Sequence, residues 1–123
     1  MTAVYGPYSP VRRAGNLLFV AGQVGIHPES GNAPTDVARQ TERALLNLEN
    51  ILRKAGLSLA DVVKLTVYLV DIGDFDAMNK VFEQRFDAPR PARTTVGVQE
   101  LPRVAGDIKL LVEIEGVAYK ESK

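Results

Sequence analysis

An arginine and a pair of glutamates are the side chains whose setting in this sequence goes furthest beyond packing. Arg93 opens the run Arg93-Thr94-Thr95-Val96-Gly97-Val98, in which Thr94, Val96 and Val98 alternate with Arg93, Thr95 and Gly97. On a strand face otherwise made of small residues a guanidinium borders open space, and its flat fork of donors matches a carboxylate. Glu113 and Glu115 stand two apart in Val112-Glu113-Ile114-Glu115, so they share one face of a second strand. The competing readings are a solvated or salt-bridged arginine and an exposed glutamate pair. His27, the single histidine, sits beside Pro28 in a polar loop. It reads as structural or solvated rather than catalytic, although imidazole suits acid–base work.

Composition narrows the chemistry available to these groups. The 123 residues carry 15 basic and 15 acidic side chains, which gives no electrostatic case for nucleic acid or an anionic membrane as main partner. Without cysteine there is no disulfide, no thiolate nucleophile and no Cys-ligated metal. A lone histidine makes no recognisable metal-ligand set, and the glycines form neither a phosphate-binding nor a dinucleotide-binding pattern. No signal-like start and no apolar run near the roughly 18 residues of a membrane span are present, so a cytoplasmic protein is expected.

The elements that must position Arg93 and the glutamates follow from periodicity. Residues 1–123 form a single domain without linker or repeat. Gly6-Pro7-Tyr8-Ser9-Pro10 predicts a rigid, extended opening. Val11 to Ala14, a turn at Gly15-Asn16, and Leu17 to Gln23 predict a hairpin. Val37, Thr41, Ala44, Leu45, Leu48, Ile51, Leu52 and Ala55 recur at helical spacing, with Thr35 or Asp36 as cap and Gly56 as stop. Val62 to Val70 alternates as a strand, and Asp74 begins a second amphipathic helix ended by the proline cluster. Strands at Arg93 to Gln99 and Leu110 to Ala118 complete the order β-β-α-β-α-β-β. The fold class is α+β, with both helices on one face of a mixed sheet.

Side chains then sort by face. Val63, Leu65, Val67, Leu69, Val96, Val98, Val112 and Ile114 are expected under the helices. Lys64, Thr66, Tyr68, Arg93, Thr95, Gly97, Glu113 and Glu115 are expected on the other side, with Val62, Val70, Leu111 and Val117. That second face is too mixed for a monomer core and too apolar to be left in water, so burial against sister subunits in a closed ring is expected.

In order and spacing, Gly6-Pro7-Tyr8-Ser9, Ala21-Gly22-Gln23, Pro28-Glu29-Ser30-Gly31, Gln40-Thr41, Asn47-Leu48, the strand Asp61 to Leu69, Asp74-Phe75 with Asn79, Pro91-Ala92-Arg93-Thr94, Leu101-Pro102 and Val112-Glu113-Ile114-Glu115 are together specific. The chain resembles the Rid (RidA/YjgF) family of reactive-intermediate deaminases nearly end to end. That resemblance implies a chorismate-mutase-like fold and a homotrimer, a trimeric barrel with clefts between subunits. It further implies cofactor-free hydrolysis of 2-imino acids and their enamines, such as 2-iminobutanoate and 2-iminopropanoate, to 2-keto acids and ammonia.

By the same resemblance Arg93 is the substrate-binding arginine, Glu113 orients water, Tyr8 and Gly22 contact the ligand, and Thr95 stands where the family often has Thr or Cys. The chemistry of the residues agrees. An imine is already electrophilic, so the site needs only a grip on the carboxylate, which Arg93 supplies, and a group such as Glu113 to present water and handle a proton. A packing tyrosine is the competing reading for Tyr8. Ala21 and Pro10 depart from the family pattern, as do Pro89-Arg90 and the length of the stretch from Pro102 to Glu113. The alternative function is a non-catalytic trimer that binds a small carboxylate, acts as a chaperone or is directed to RNA. A modest basic cluster of Arg85, Arg90, Arg93 and Arg103 keeps the RNA option open.

Overall fold

A four-residue strand, β1 (Val11–Ala14), turns back through Gly15 and Asn16 into β2 (Leu17–Val24). Gly15 adopts φ +60, a left-handed conformation that a residue without Cβ enters without strain. The computed structural model describes residues 4–121. After the hairpin come α1 (Val37–Lys54), β3 (Val62–Leu69), α2 (Phe75–Arg85), β4 (Ala92–Gly97) and β5 (Val112–Tyr119), in the expected order. The sheet runs β1-β2-β5-β3-β4. Only β3 and β4 pair in parallel, which is why a helix joins them, whereas the other neighbours are antiparallel.

The apolar stripe of α1 has caps at both ends. Asp36 Oδ1 accepts from the Arg39 backbone N–H at 2.8 Å, which stabilises the start by about 1 kcal/mol. Arg53 and Lys54 fall in the last turn, and Gly56 leaves it with φ +79. Leu45, Leu48 and Leu52 of α1 join Met78, Val81 and Phe82 of α2 in one buried cluster with Leu65, Val67, Leu69, Val112 and Ile114. Both helices therefore cover the same face of the sheet. Each large side chain so buried contributes about 1.5–3 kcal/mol.

A polar residue stands inside α1 on purpose. Gln40 is fully buried; its Nε2 donates to the carbonyls of Pro34 (2.9 Å) and Lys109 (3.0 Å), and its Oε1 accepts from Leu111 N–H at 2.7 Å. The side-chain amide thus fixes the loop before α1 against the entrance to β5. Ile26, Ala33, Ala105 and Leu110 pack as a second small cluster beneath these loops.

Three expectations about the backbone need correction. The opening is not extended: Tyr8 N–H bonds back to Gly6 C=O at 2.9 Å in a tight three-residue turn. In β3 the ladder to β5 slips between Val62 and Lys64, a bulge that turns Val62 inward, 5% exposed, and Val63 outward, 48% exposed. In β4 the faces are reversed. Leu65 pairs with Arg93 and Val67 with Thr95, so Arg93, Thr95 and Gly97 stand on the helix side, while Thr94 and Val96 stand with Lys64, Thr66 and Tyr68 on the other. Val96 is accordingly 38% exposed. Strict alternation ties residues of a strand to one another but not to a particular side of the sheet. On this edge strand neither set is apolar enough to settle the choice.

Candidate functional site

Arg93 is built into the helix face of the sheet by α2. Its Nη2 donates to Asn79 Oδ1 at 2.6 Å, its Nη1 to Met78 Sδ at 3.6 Å, and its guanidinium carbon lies 4.8 Å from the Phe82 ring centroid and 5.6 Å from that of Phe75. The two rings supply cation–π contact, which a planar guanidinium exploits better than an ammonium. Of its five N–H donors these contacts engage two. No carboxylate ion-pairs with it among the described residues. Burial pulls its pKa down, although a guanidinium stays charged. Beside it Thr95 Oγ1 is buried and makes no hydrogen bond among the described residues.

Glu113 lies on the opposite face of the sheet from Arg93. It is directly across the ladder from Tyr68, and its side chain folds over β2 at Gly22, where an added Cβ would meet Glu113 Oε2 at 2.1 Å. The absence of a side chain at Gly22 is what gives the carboxylate its place. Burial first, and the Glu115 charge second, push the Glu113 carboxyl above the usual carboxylate range. Glu113, Gly22 and Tyr8 line one cavity of about 1020 Å³, which extends along α1 past Asn47. The Tyr8 hydroxyl accepts from the Tyr5 backbone N–H at 3.3 Å.

Asn47 ties this cavity to the helix. Its Nδ2 donates to the carbonyls of Val24 (3.0 Å) and Ile26 (2.8 Å), and its Oδ1 accepts from Arg43 Nε (3.0 Å) and Nη2 (2.8 Å). Those bonds anchor the end of β2 just past Gly22. His27 is exposed, with its Nδ1 3.4 Å from Arg43 Nη1. No group of three or more His, Asp or Glu side chains able to hold a metal occurs among the described residues. No helix there is long and apolar enough to cross a membrane.

The proposed residues therefore fall into two groups. Tyr8, Gly22 and Glu113 converge on the cavity, whereas Arg93 and Thr95 sit together on the other side of the sheet. The expectation that Arg93 and Glu113 project from the same helix-free face is overturned for a single chain. The reason lies in the reversed β4: α2 offers the guanidinium two aromatic faces and an amide, which the other side does not. The expected basic cluster also disperses. Arg85 pairs with Glu42 and Glu49, Arg90 donates to Phe86 C=O at 3.0 Å, and Arg103 pairs with Glu100 at 3.6 Å. Asn79, Phe75 and Phe82 were not singled out as site residues in the sequence. The available signal was one amide on the inner side of a helix, next to Met78.

Known proteins resemble this chain along nearly all its length. The family model described as Endoribonuclease L-PSP matches residues 1–120. A RutC family protein of Pyrococcus abyssi is 47% identical over 117 residues, covering 94% of this chain and 88% of the relative. TdcF of Escherichia coli, provisionally named a reactive intermediate deaminase, is 38% identical over 120 residues, covering 95% and 89%. Its structure with bound serine superposes with a TM-score of 0.88 at 36% identity, over 96% of this chain and 91% of that one. RidA of an Antarctic Psychrobacter gives a TM-score of 0.89 at 37% identity, over 96% and 92%. With a matching family model over almost the whole sequence and relatives this similar, the chain belongs to the Rid family.

Proposed function

We propose that this protein hydrolyses 2-imino acids and their enamine tautomers to 2-keto acids in a cleft shared by two copies of the chain. The observation that carries this reading is the division of the site. One face holds a guanidinium fixed by Asn79 with donors to spare, and the other holds Glu113 in a cavity over Gly22. Arg93 lies on the edge strand β4 and Gly22 on β2, toward the other edge of the sheet. A head-to-tail ring brings the β4 side of one copy to the β2 side of the next, and a trimer closes it. The names of the relatives, a reactive intermediate deaminase and RidA among them, support the same chemistry.

In that cleft Arg93 grips the substrate carboxylate through its remaining N–H donors, which fixes the C=N carbon. Glu113 takes a proton from water as the oxygen adds to that carbon, and the C=N electron pair moves to nitrogen. Glu113 returns that proton to nitrogen; as the C–N bond breaks and the carbonyl forms, Glu113 takes the hydroxyl proton and passes it to the departing ammonia. An iminium and water become a 2-keto acid and ammonium. The small acids 2-iminobutanoate and 2-iminopropanoate are the expected substrates. Cleavage of RNA, which the family model's description suggests, is the less supported reading, because Arg85 and Arg103 pair with local glutamates, Arg93 is turned under α2, and the single histidine lies beside Arg43.

Mixed oligomers test the proposal. Arg93→Ala and Glu113→Gln are each expected to abolish the acceleration of ammonia release in an assay coupled to a threonine dehydratase. Co-refolding the two inactive variants should restore about one quarter of the wild-type rate, because one cleft in four then draws both intact residues from different copies. No recovery from the mixture would overturn the shared cleft, and no acceleration by wild type over several imino acids would overturn the activity.

A further inference from the structure

The carboxylate of Glu113 has a second acid beside it that no step above employs. Glu113 and Glu115 share one face of β5, and their partners across the ladder are Tyr68 and Thr66. Tyr68 rises from directly opposite Glu113, yet its hydroxyl donates to Glu115 Oε1. The two cations on this face are placed elsewhere: Lys64 Nζ donates to Thr94 Oγ1 at 2.6 Å, and Arg12 stands on the outer strand β1 opposite Phe19, with no ion pair to either glutamate among the described residues. β2 contributes Gly22, which brings no charge. Charged groups on the cavity wall come from α1 and the loop before it, namely Arg43, Arg53, Lys54, His27 and Glu29. None of these ion-pairs with either glutamate among the described residues.

Glu113 is thus half-buried beside a like charge on its own strand face, with one neutral donor, Tyr68, between the two acids; burial first and the Glu115 charge second hold the Glu113 carboxyl above the usual carboxylate range. The hydrogen bond to Glu115, before burial and the two acidic charges, also raises the Tyr68 pKa. Tyr68 thus stays protonated through the neutral range and remains a donor. We propose that Glu115, clamped by the Tyr68 hydroxyl, is a positioning residue for Glu113: its fixed charge keeps a proton within reach of the carboxylate that must both draw one from water and return one to nitrogen. This inference rests on the role given to Glu113 above and assigns Glu115 no contact with substrate.

The test reads Glu113 directly. The δ-carboxyl carbons of the full chain are labelled with ¹³C, the Glu113 signal is assigned from its loss in Glu113→Gln, and its shift is followed with pH. In Glu115→Gln the Glu113 midpoint is expected to move to lower pH, a roughly threefold or greater loss of proton affinity, with burial still holding part of the elevation. Glu115→Asp should restore most of the wild-type midpoint. If Glu115→Gln does not fold, Tyr68→Phe keeps both acids and removes the clamp, and the midpoint should fall as the freed carboxylate swings toward water. An unmoved or raised midpoint in whichever variant folds overturns the inference. The titration needs no substrate: a midpoint shift in an enzymatically inert protein would count against the deaminase reading alone. An unmoved midpoint in an active one would count against the role of Glu115 alone.

Discussion

Gly22→Ala isolates the position of the Glu113 carboxylate from the stability of the fold. A Cβ at Gly22 would lie 2.1 Å from Glu113 Oε2, 2.7 Å from Cδ and 3.0 Å from Cγ. An ordinary carbon–oxygen contact needs about 3.3 Å, so the carboxylate must retreat by about 1.2 Å. A misplacement of that size at a reacting group costs on the order of 100-fold in rate, or about 2.7 kcal/mol of barrier. The fold, by contrast, should tolerate the change. The atom that must move is the end of a flexible side chain, and Gly22 is not among the glycines with positive φ. Reduced freedom in the unfolded chain adds about 0.4–1 kcal/mol in its favour.

Gly25→Ala is the contrast three residues along. There the added Cβ would lie 2.6 Å from both Cα and the carbonyl oxygen of Gln40, backbone atoms of α1 that cannot step aside. A loss of at least about 1–3 kcal/mol is expected. Thermal melts should leave Gly22→Ala within about 5 °C of wild type and drop Gly25→Ala by more. The coupled dehydratase assay should find kcat/KM of Gly22→Ala reduced about 100-fold with little change in folding. Wild-type kcat/KM in Gly22→Ala, together with a collapse in Glu113→Gln, would refute the claim that the placement of this carboxylate limits the rate.

Three further outcomes are expected. Thr95→Val should raise stability by about 1 kcal/mol in denaturant melts, because it removes a buried hydroxyl without a partner; a loss would mean that the hydroxyl is satisfied in solution. Gln40→Leu should cost at least about 3 kcal/mol, since Pro34 C=O, Lys109 C=O and Leu111 N–H each lose a partner; a near-neutral melt would contradict that. For Glu113 the folded state keeps a proton that the unfolded chain releases, so its contribution to stability falls as pH rises from about 4.5 through the raised folded midpoint. Glu113→Gln, neutral throughout, should therefore melt above wild type at about pH 8 and show no such gain at about pH 4. An equal gain at both would show that titration is not its source.

What could be read from the sequence follows the strength of its periodicity. The stripe from Val37 to Ala55, with Asp36 before it and Gly56 after it, admitted one solution, and α1 has those ends. The hairpin and the order of elements were equally determined by turn residues and alternation. β4 was not: Val96 is more apolar than Arg93, Thr95 or Gly97, so its pattern pointed to the side of the sheet that the fold does not use. What decides its orientation is a long-range contact with Asn79, Phe75 and Phe82. The bulge in β3 was hidden by two adjacent valines, either of which suits a core. Of the candidate site, the sequence offered the residue types but not their division between two sides of the sheet. The Tyr68 to Glu115 bond joins residues 47 positions apart, beyond the reach of any local pattern.

The slip between Val62 and Lys64 works as a phase shifter. Residues upstream of it are rotated by half a period, while Thr66 and Tyr68 downstream keep their side of the sheet. Changes in the approach from Asp61 can therefore be absorbed at that one irregular step without turning the tyrosine away from its acids. Removing a residue there would exchange inside for outside at one end of the strand only. The acidic cluster is thereby insulated from length variation in the connection that delivers the strand to it.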